Sequence, residues 1–545
     1  MEQKSDSGSF TAAGLKAAAT SSPAGRPSPH SEPLLELARK KFGALTDGEQ
    51  RFFRAVVDGR FPDYSSPTAA ENDPADAANW SAKRVLSAEK IAWLATDLEA
   101  SRFVTHRGIG IKGARIEGRL DLQAANIVFA LYFDRCVLAS GLNLLGAEIH
   151  ALNLSGSHVG RITADGMKVE GGVFLRAGFK STGHVRLLGA HIGGNLDCEA
   201  GHFANPGGEA LAIDGAQIAG SVLLNRRFVA DGQVRLLGAE IGGNLSCDAG
   251  VFINVGKEAL LADRLKVDGN VFLSDGFQPR GRVALPSAII HGFVVWQNVA
   301  GPENTTLDLR SAKIGTLWIG RESWPAQGHL LLHGLTYDEL DDRSSLDARL
   351  WIEWLRLQPP IPFRPQPYEQ LAAVLRKDGQ DSDSKKVLFA KEHDRAHRAP
   401  LSWSQVPWYR LFGPLIGYGY KPWRAFWVSL AVIICGCVLF GIGAHFGLMT
   451  PAKAEAFVAD GKGGAVVSNH YPAFSAFVYS LDTFTPLIDL GQADYWLPNA
   501  TNGSDVALGV TTGALLRTYM WFHIIAGWIL STLLFVGLSG TVPGA

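Results

Sequence analysis

The 21 residues from Val185, VRLLGAHIGGNLDCEAGHFAN, return 49 residues later from Val234 as VRLLGAEIGGNLSCDAGVFIN. A chain that repeats at this distance is confined to stacked architectures, in which each unit's apolar side is covered only by its neighbours. Shorter copies surround these two: Gly113–Leu122 (GARIEGRLDL), Gly166–Leu175 (GMKVEGGVFL), Gly189–Cys198 (GAHIGGNLDC), Gly215–Leu224 (GAQIAGSVLL) and Gly238–Cys247 (GAEIGGNLSC). Weaker copies start at Arg264 (RLKVDGNVFL), Ser287 (SAIIHGFVVW) and Ser311 (SAKIGTLWIG). From residue 166 the starts lie 23 to 26 residues apart, which suits one coil of a solenoid, so the 49-residue spacing predicts two coils.

Within a unit, small-x-aliphatic-x-Gly-x-aliphatic-x-aliphatic sends Ile192, Leu196 and Cys198 to one side with the period of two that strands require. Glycine between the strand pieces serves as a corner, and this accounts for much of an excess of 61 glycines in 545 residues that has no collagen-like period. The reading is a mostly-β fold: a right-handed parallel β-helix with pentapeptide-like repeats over 108–340, an aliphatic ladder inside, and helical caps. A left-handed hexapeptide helix needs an aliphatic residue every six positions; IGGNLD supplies one such unit and the pattern stops. Solenoid enzymes need clustered carboxylates, a basic residue or calcium on one face. The acids here are scattered, so no catalytic, cofactor-binding or metal-binding residue is assigned, and the solenoid is read as a module for an unknown protein or small-molecule ligand.

Residues 1–33, rich in Ser, Ala, Gly and Pro, read as a disordered tail. A helical N-terminal cap is predicted over 34–107, with one helical pattern at 34–61, a loop at 62–78 and a second helix over 81–103. Past the repeats, 341–400 carries an amphipathic helix at Ser345–Gln358, a proline-rich linker, and a helical hairpin formed by Tyr368–Lys377 and Asp383–Arg398 around the turn KDGQD. The charged fraction is 19% and the formal net charge −1, which argues against a disordered chain and against a nucleic-acid partner. Cys198 and Cys247 sit two coils apart, too far for a disulfide, and all five cysteines read as reduced packing residues.

Residues 401–545 form the predicted membrane domain. Ala425–Ala444 is 20 residues without a charge, and Thr518–Val542 is a second such stretch interrupted only by His523. Spans are placed at about 425–447 and 518–540, with an interfacial approach at 408–424. Arg398, Arg410, Lys421 and Arg424 precede the first span, whereas the 450–512 connection holds Lys453 and Lys462 beside six acids. By the positive-inside rule the solenoid lies in the cytoplasm and the connection outside. Gly436, Gly441, Gly443, Gly527, Gly537 and Gly540 suit close helix approach in lipid.

Inside the connection, Pro472–Pro498 (PAFSAFVYSLDTFTPLIDLGQADYWLP) carries a short apolar helical pattern followed by Ser480, Asp482, Thr483, Thr485 and Pro486. Two readings stay open for 472–490: a re-entrant helix that turns back within the bilayer, or a helix lying flat on its surface. Span, short helix with a Thr-rich turn, and span together resemble the two-span pore module of potassium-channel-like proteins, with SLDTFTPLIDLG standing where that family has its TVGYG-like filter. From about residue 80 to 540 the chain is similar to bacterial membrane proteins with pentapeptide-like repeats ahead of a YSLDTF…P segment, some of them named membrane-associated oxidoreductases.

The resemblance implies a bacterial inner-membrane protein, a homo-oligomer, and four copies if it is channel-like. It leaves open a membrane-tethered scaffold without conductance and an oxidoreductase as the family name suggests, although the chain has no G-x-G-x-x-G that opens a βα unit, no C-x-x-C and no haem ligand pair. The candidate pore-region residues are Ser480, Asp482, Thr483 and Thr485, with Asp482 read as a cation-attracting carboxylate or a local cap. His523 is the candidate intramembrane residue, because ionisable groups in spans usually face a bundle interior.

Overall fold

The computed structural model describes residues 31–400, 402–406, 409–410, 413, 417–419, 422–459, 465–507 and 510–538. Most of the expected tail and about half of the 408–424 approach lie outside the described residues. The chain divides into two compact units, Met1–Ala326 with Thr336–Ser344, and Gln327–Leu335 with Ser345–Ala545.

The first unit opens with helices α1 (Glu32–Phe42) and α2 (Asp47–Val57). Helix α2 starts at a capping box in which Thr46 accepts from the Glu49 amide at 3.2 Å and Glu49 accepts from the Thr46 amide at 3.0 Å. The helix expected over 81–103 is only nine residues long, α3 (Ala88–Thr96). Ahead of it Val85–Ser87 runs parallel to Arg115–Glu117, so sheet hydrogen bonds claim backbone that the apolar spacing assigned to a helix. Phe42, Phe53 and Trp93 meet edge to face at 5.4 and 6.0 Å and close this small core.

The rest of the unit is a parallel β-solenoid of about ten turns. One ladder runs Ile127, Ile149, Val169, Ile192, Ile218, Ile241, Val267, Ile290, Ile314 and Tyr337, each paired in register with the next coil and each buried. Leu196, Val222 and Leu245 belong to a second ladder. Both follow from period two: one residue of each short strand faces in, the next faces out. A stack of rings, Phe179, Phe203, Phe228, Phe252 and Phe277, fills one interior corner at 5.2 Å per step and ends on Trp296. Cys198 and Cys247 are buried free thiols, and the coil between them offers Leu224 at the same rung. Burial pushes both thiols well above their ordinary range, which keeps them unreactive.

The repeat's first glycine sits at a corner with positive φ, +61° at Gly238. In the weaker copies Arg264, Ser287 and Ser311 keep the same left-handed backbone at +55° to +56° without a glycine. The stacked register fixes the corner, and the glycine only relieves it.

The second unit contains α4 (Ala348–Leu355), α5 (Gln366–Lys377) and α6 (Asp381–Arg398). Asp394 organises them. Its carboxylate accepts from Arg356 Nε and Nη2 at 2.8 and 2.9 Å and from the Tyr368 hydroxyl at 2.8 Å. Burial alone raises this carboxyl, but the Arg356 and Tyr368 hydrogen bonds outweigh it and hold it below the ordinary range. A depressed carboxyl adds stability above its unfolded value, about 3.9, and loses it as pH falls through the lower folded-state value. Melting temperature measured against pH is therefore expected to show an acid limb below about pH 4 that is weaker in Asp394→Asn, which is also less stable at neutral pH.

Two helices follow that are long and apolar enough to cross a membrane, Trp423–His445 and Thr512–Phe535, each mostly uncovered by the rest of the unit. They are called here the first and second long helices (Pro422–His445 and Thr512–Leu538). Large apolar side chains stand out from both, with Trp427 63% and Phe522 61% exposed. The segment joining them adds short antiparallel pairs, Met449–Pro451 with Trp496–Pro498 among them, and a short helix, Ala476–Phe484.

Candidate functional site

The short helix is wedged against both long helices, and the residues that seat it include two of the candidates. Ser475 caps it, accepting from the Val478 amide at 3.4 Å. One turn on, Tyr479 is fully buried, with its ring 4.8 Å from Phe440 and its hydroxyl 3.2 Å from Met520 Sδ. Next comes Ser480, also fully buried, whose hydroxyl donates to the Ile433 carbonyl at 2.8 Å. His523 meets it from the opposite side, with Nε2 3.0 Å from the Ser480 carbonyl and 3.2 Å from its hydroxyl oxygen.

These partners select a tautomer. The Ser480 hydroxyl proton is committed to Ile433, so Nε2 carries the hydrogen and donates to the Ser480 carbonyl. Nδ1 is then the acceptor for the Tyr519 hydroxyl 3.3 Å away. Phe440 and Phe484 flank the ring at 5.7 and 5.5 Å, and His523 is fully buried. A neutral imidazole thus donates to a carbonyl in the last turn of the short helix, one that the Thr483 hydroxyl also reaches at 3.3 Å.

Two glycines make the approach possible. A Cβ at Gly436 would lie 2.4 Å from Ser480 Oγ and 2.6 Å from the His523 ring. At Gly527 it would lie 2.0 Å from the Phe484 carbonyl oxygen. Ile433 and His523 stand near the middle of their helices, so the short helix enters from the end that holds His445 and Thr512 and stops about halfway along both.

Asp482, Thr483 and Thr485 lie at that halfway point and do different things. Thr483 and Thr485 return their hydroxyls to the Tyr479 and Leu481 carbonyls, both at 2.7 Å. Asp482 turns toward the returning chain, where its two oxygens accept the Leu490 and Ala493 amides at 2.7 and 2.8 Å. It closes the loop 485–491, on which Leu487 is 88% exposed and Ile488 and Leu490 are also exposed. Asp482→Asn places an NH₂ against one of two amide donors and is expected to cost about 2 kcal/mol. Faster proteolysis within 485–493 checks it.

The solenoid offers a second region. An open cavity of about 800 Å³ runs along the outward side of its Ile-rich ladder, over a floor of Gly193, Ala219 and Gly242. Its charged walls are already paired, Lys168 with Glu148 at 2.6 Å and Lys266 with Glu240 at 2.7 Å. Among the described residues no three His, Cys, Asp or Glu side chains converge as metal ligands.

Sequence spacing identified Ser480 and His523 separately. Their contact, and the parts played by Ile433, Gly436 and Gly527, depend on chain segments 43 residues or more apart, whereas Tyr519 reaches His523 from one turn away on the same helix. No protein-family model, curated protein or solved structure matches the chain.

Proposed function

We propose that the protein is an integral membrane protein in which several copies assemble around the 485–491 loop to form a cation path, with the β-solenoid as a binding module. The observation that carries this reading is the half-depth turn. Irregular backbone at that depth in lipid is tolerated only where other protein covers it or where it lines water. Here it carries exposed apolar side chains in a single copy, so neighbouring copies are its natural cover. The carbonyl end of the short helix points into the same region and favours a cation there, as the negative end of a helix dipole.

In this reading the spans are the two long helices, 472–490 is re-entrant, and the assembly has four copies, as the resemblance implies. The solenoid is right-handed and stays on the cytoplasmic side of a bacterial inner membrane, with its open groove available to a protein or small-molecule ligand. The organisation into cap (34–107), solenoid (108–340), helical cap and hairpin (341–400) and membrane domain (401–545) belongs to the same proposal.

Potassium and sodium flux into liposomes containing the purified protein tests it. Flux above that of protein-free vesicles, altered by Asp482→Asn, is the expected result; an assembled oligomer that passes neither cation overturns the path. A tethered scaffold without conductance is the second reading. What favours it is that the exposed hydroxyls of Thr518 and Thr532 on the second long helix are turned back onto their own helix, at 3.0 and 2.7 Å.

A further inference from the structure

Residues 395–454 contain no Asp or Glu, and none occurs after Asp505. The first stretch runs from the end of α6 through the first long helix, and the second holds the second long helix. The turn Gly417–Gly419 touches α6 and both long helices, so these elements meet at one end.

Aromatic rings order that end. Tyr409 and Tyr418 are buried with ring centres 6.3 Å apart, and the Tyr418 hydroxyl donates to the Tyr409 carbonyl at 3.0 Å. Phe389 of α6 lies 5.9 Å from Tyr418. The Arg395 guanidinium carbon stands 5.4 Å from the centre of the Tyr409 ring, and that of Arg424 6.0 Å from the centre of Phe389. Arg398 follows Arg395 by one turn, and Arg410 is exposed beside Tyr409. One cluster thus gathers four arginines around the start of the first long helix.

The nearest carboxylates are spent. Asp394 is buried and taken by Arg356 and Tyr368. The Glu392 side chain is only 16% exposed and pairs with Lys391 at 3.2 Å. Asp381 and Asp383 sit at the other end of α6. Among the described residues Arg395, Arg398 and Arg410 form no ion pair. Ala425–Ala444, the apolar part of the helix, is about as long as the hydrocarbon is thick, which sets Arg424 at the boundary of a bilayer that the helix crosses. Trp423, 67% exposed beside it, suits the headgroup layer.

We propose that these four arginines hold the headgroups of anionic phospholipids at the α6 end of the long helices. The inference rests on the reading that those helices span a bilayer. Guanidinium forks match phosphate oxygens, and a surplus of fixed positive charge selects lipids with net negative charge over zwitterionic ones.

Native mass spectrometry of the full-length protein in a non-ionic detergent, titrated with dioleoylphosphatidylglycerol or with dioleoylphosphatidylcholine, tests it. The two lipids share their chains and differ in net charge. Phosphatidylglycerol is expected to bind at least tenfold more tightly, and this preference to fall about fivefold for each arginine removed, in Arg410→Gln and in Arg395→Gln/Arg398→Gln. Arg410 is exposed, so its variant is expected to fold even if the double variant does not. Equal affinity for the two lipids, or a preference unchanged in Arg410→Gln and in a folded double variant, overturns the proposal. Alkaline carbonate extraction from phosphatidylcholine vesicles separates the two failures. A protein that resists extraction but binds both lipids equally keeps its spans and loses this site, whereas one that carbonate strips from the vesicles loses both.

Discussion

Gly527→Ala is expected to unseat the short helix and to cost the C-terminal helical unit about 3 kcal/mol, the upper part of the range for overpacking a tight contact. Alanine is the better helix former, so propensity alone points the other way. The contact decides the sign. The added methyl would lie 2.0 Å from the Phe484 carbonyl oxygen and 2.7 Å from its carbon, and backbone in a capped helix cannot step aside as a side chain can. Withdrawing Phe484 also lifts Ser480 from His523 and leaves the imidazole N–H, the Ser480 carbonyl and the Tyr519 hydroxyl to find new partners in an apolar setting. Thermal unfolding in detergent, followed by tryptophan fluorescence, measures the loss. An unchanged midpoint in Gly527→Ala would show that this helix does not pack as described.

Phe228→Ala is expected to be the most damaging single truncation in the solenoid, at about 3–5 kcal/mol for a buried ring. Phe228 is fully buried at the centre of the stack and touches Phe203 and Phe252 at 5.2 Å on either side. In a repeat array each coil is held mainly by its two neighbours, so a cavity in a middle coil weakens both interfaces at once. Val255→Ala is the control. Val255 is 77% exposed on a coil of the same stack, and its loss is expected to change stability by no more than about 0.5 kcal/mol. Urea unfolding monitored by circular dichroism compares the two.

The solenoid was legible because its signal is local and repeated. Ile192 and Leu196 could be placed inside from alternation alone, and the coil length followed from the distance between copies. The conformations at Arg264, Ser287 and Ser311 were hidden, since the glycine that marks the corner elsewhere has been replaced while the corner persists. At 81–103 the apolar spacing suggested a longer helix than α3, because a pairing with Arg115–Glu117, distant in sequence, was not visible. The seat of the short helix was half legible. Ser480, His523 and the span glycines stood out by residue type, but hydrogen bonds spanning 43 and 47 residues leave no periodic trace.

The central claim is that copies of the chain meet at the half-depth loop. Disulfide trapping at that loop tests it most directly, with Ile488→Cys introduced beside Cys435→Ala and Cys437→Ala and the protein oxidised in native-like bilayers. Ile488 is exposed in a single copy, so rapid formation of covalently linked dimers is expected, with none from a matched cysteine at the outward-facing Phe522. A protein that stays monomeric at position 488, and whose mass in mild detergent is that of one chain, would contradict it.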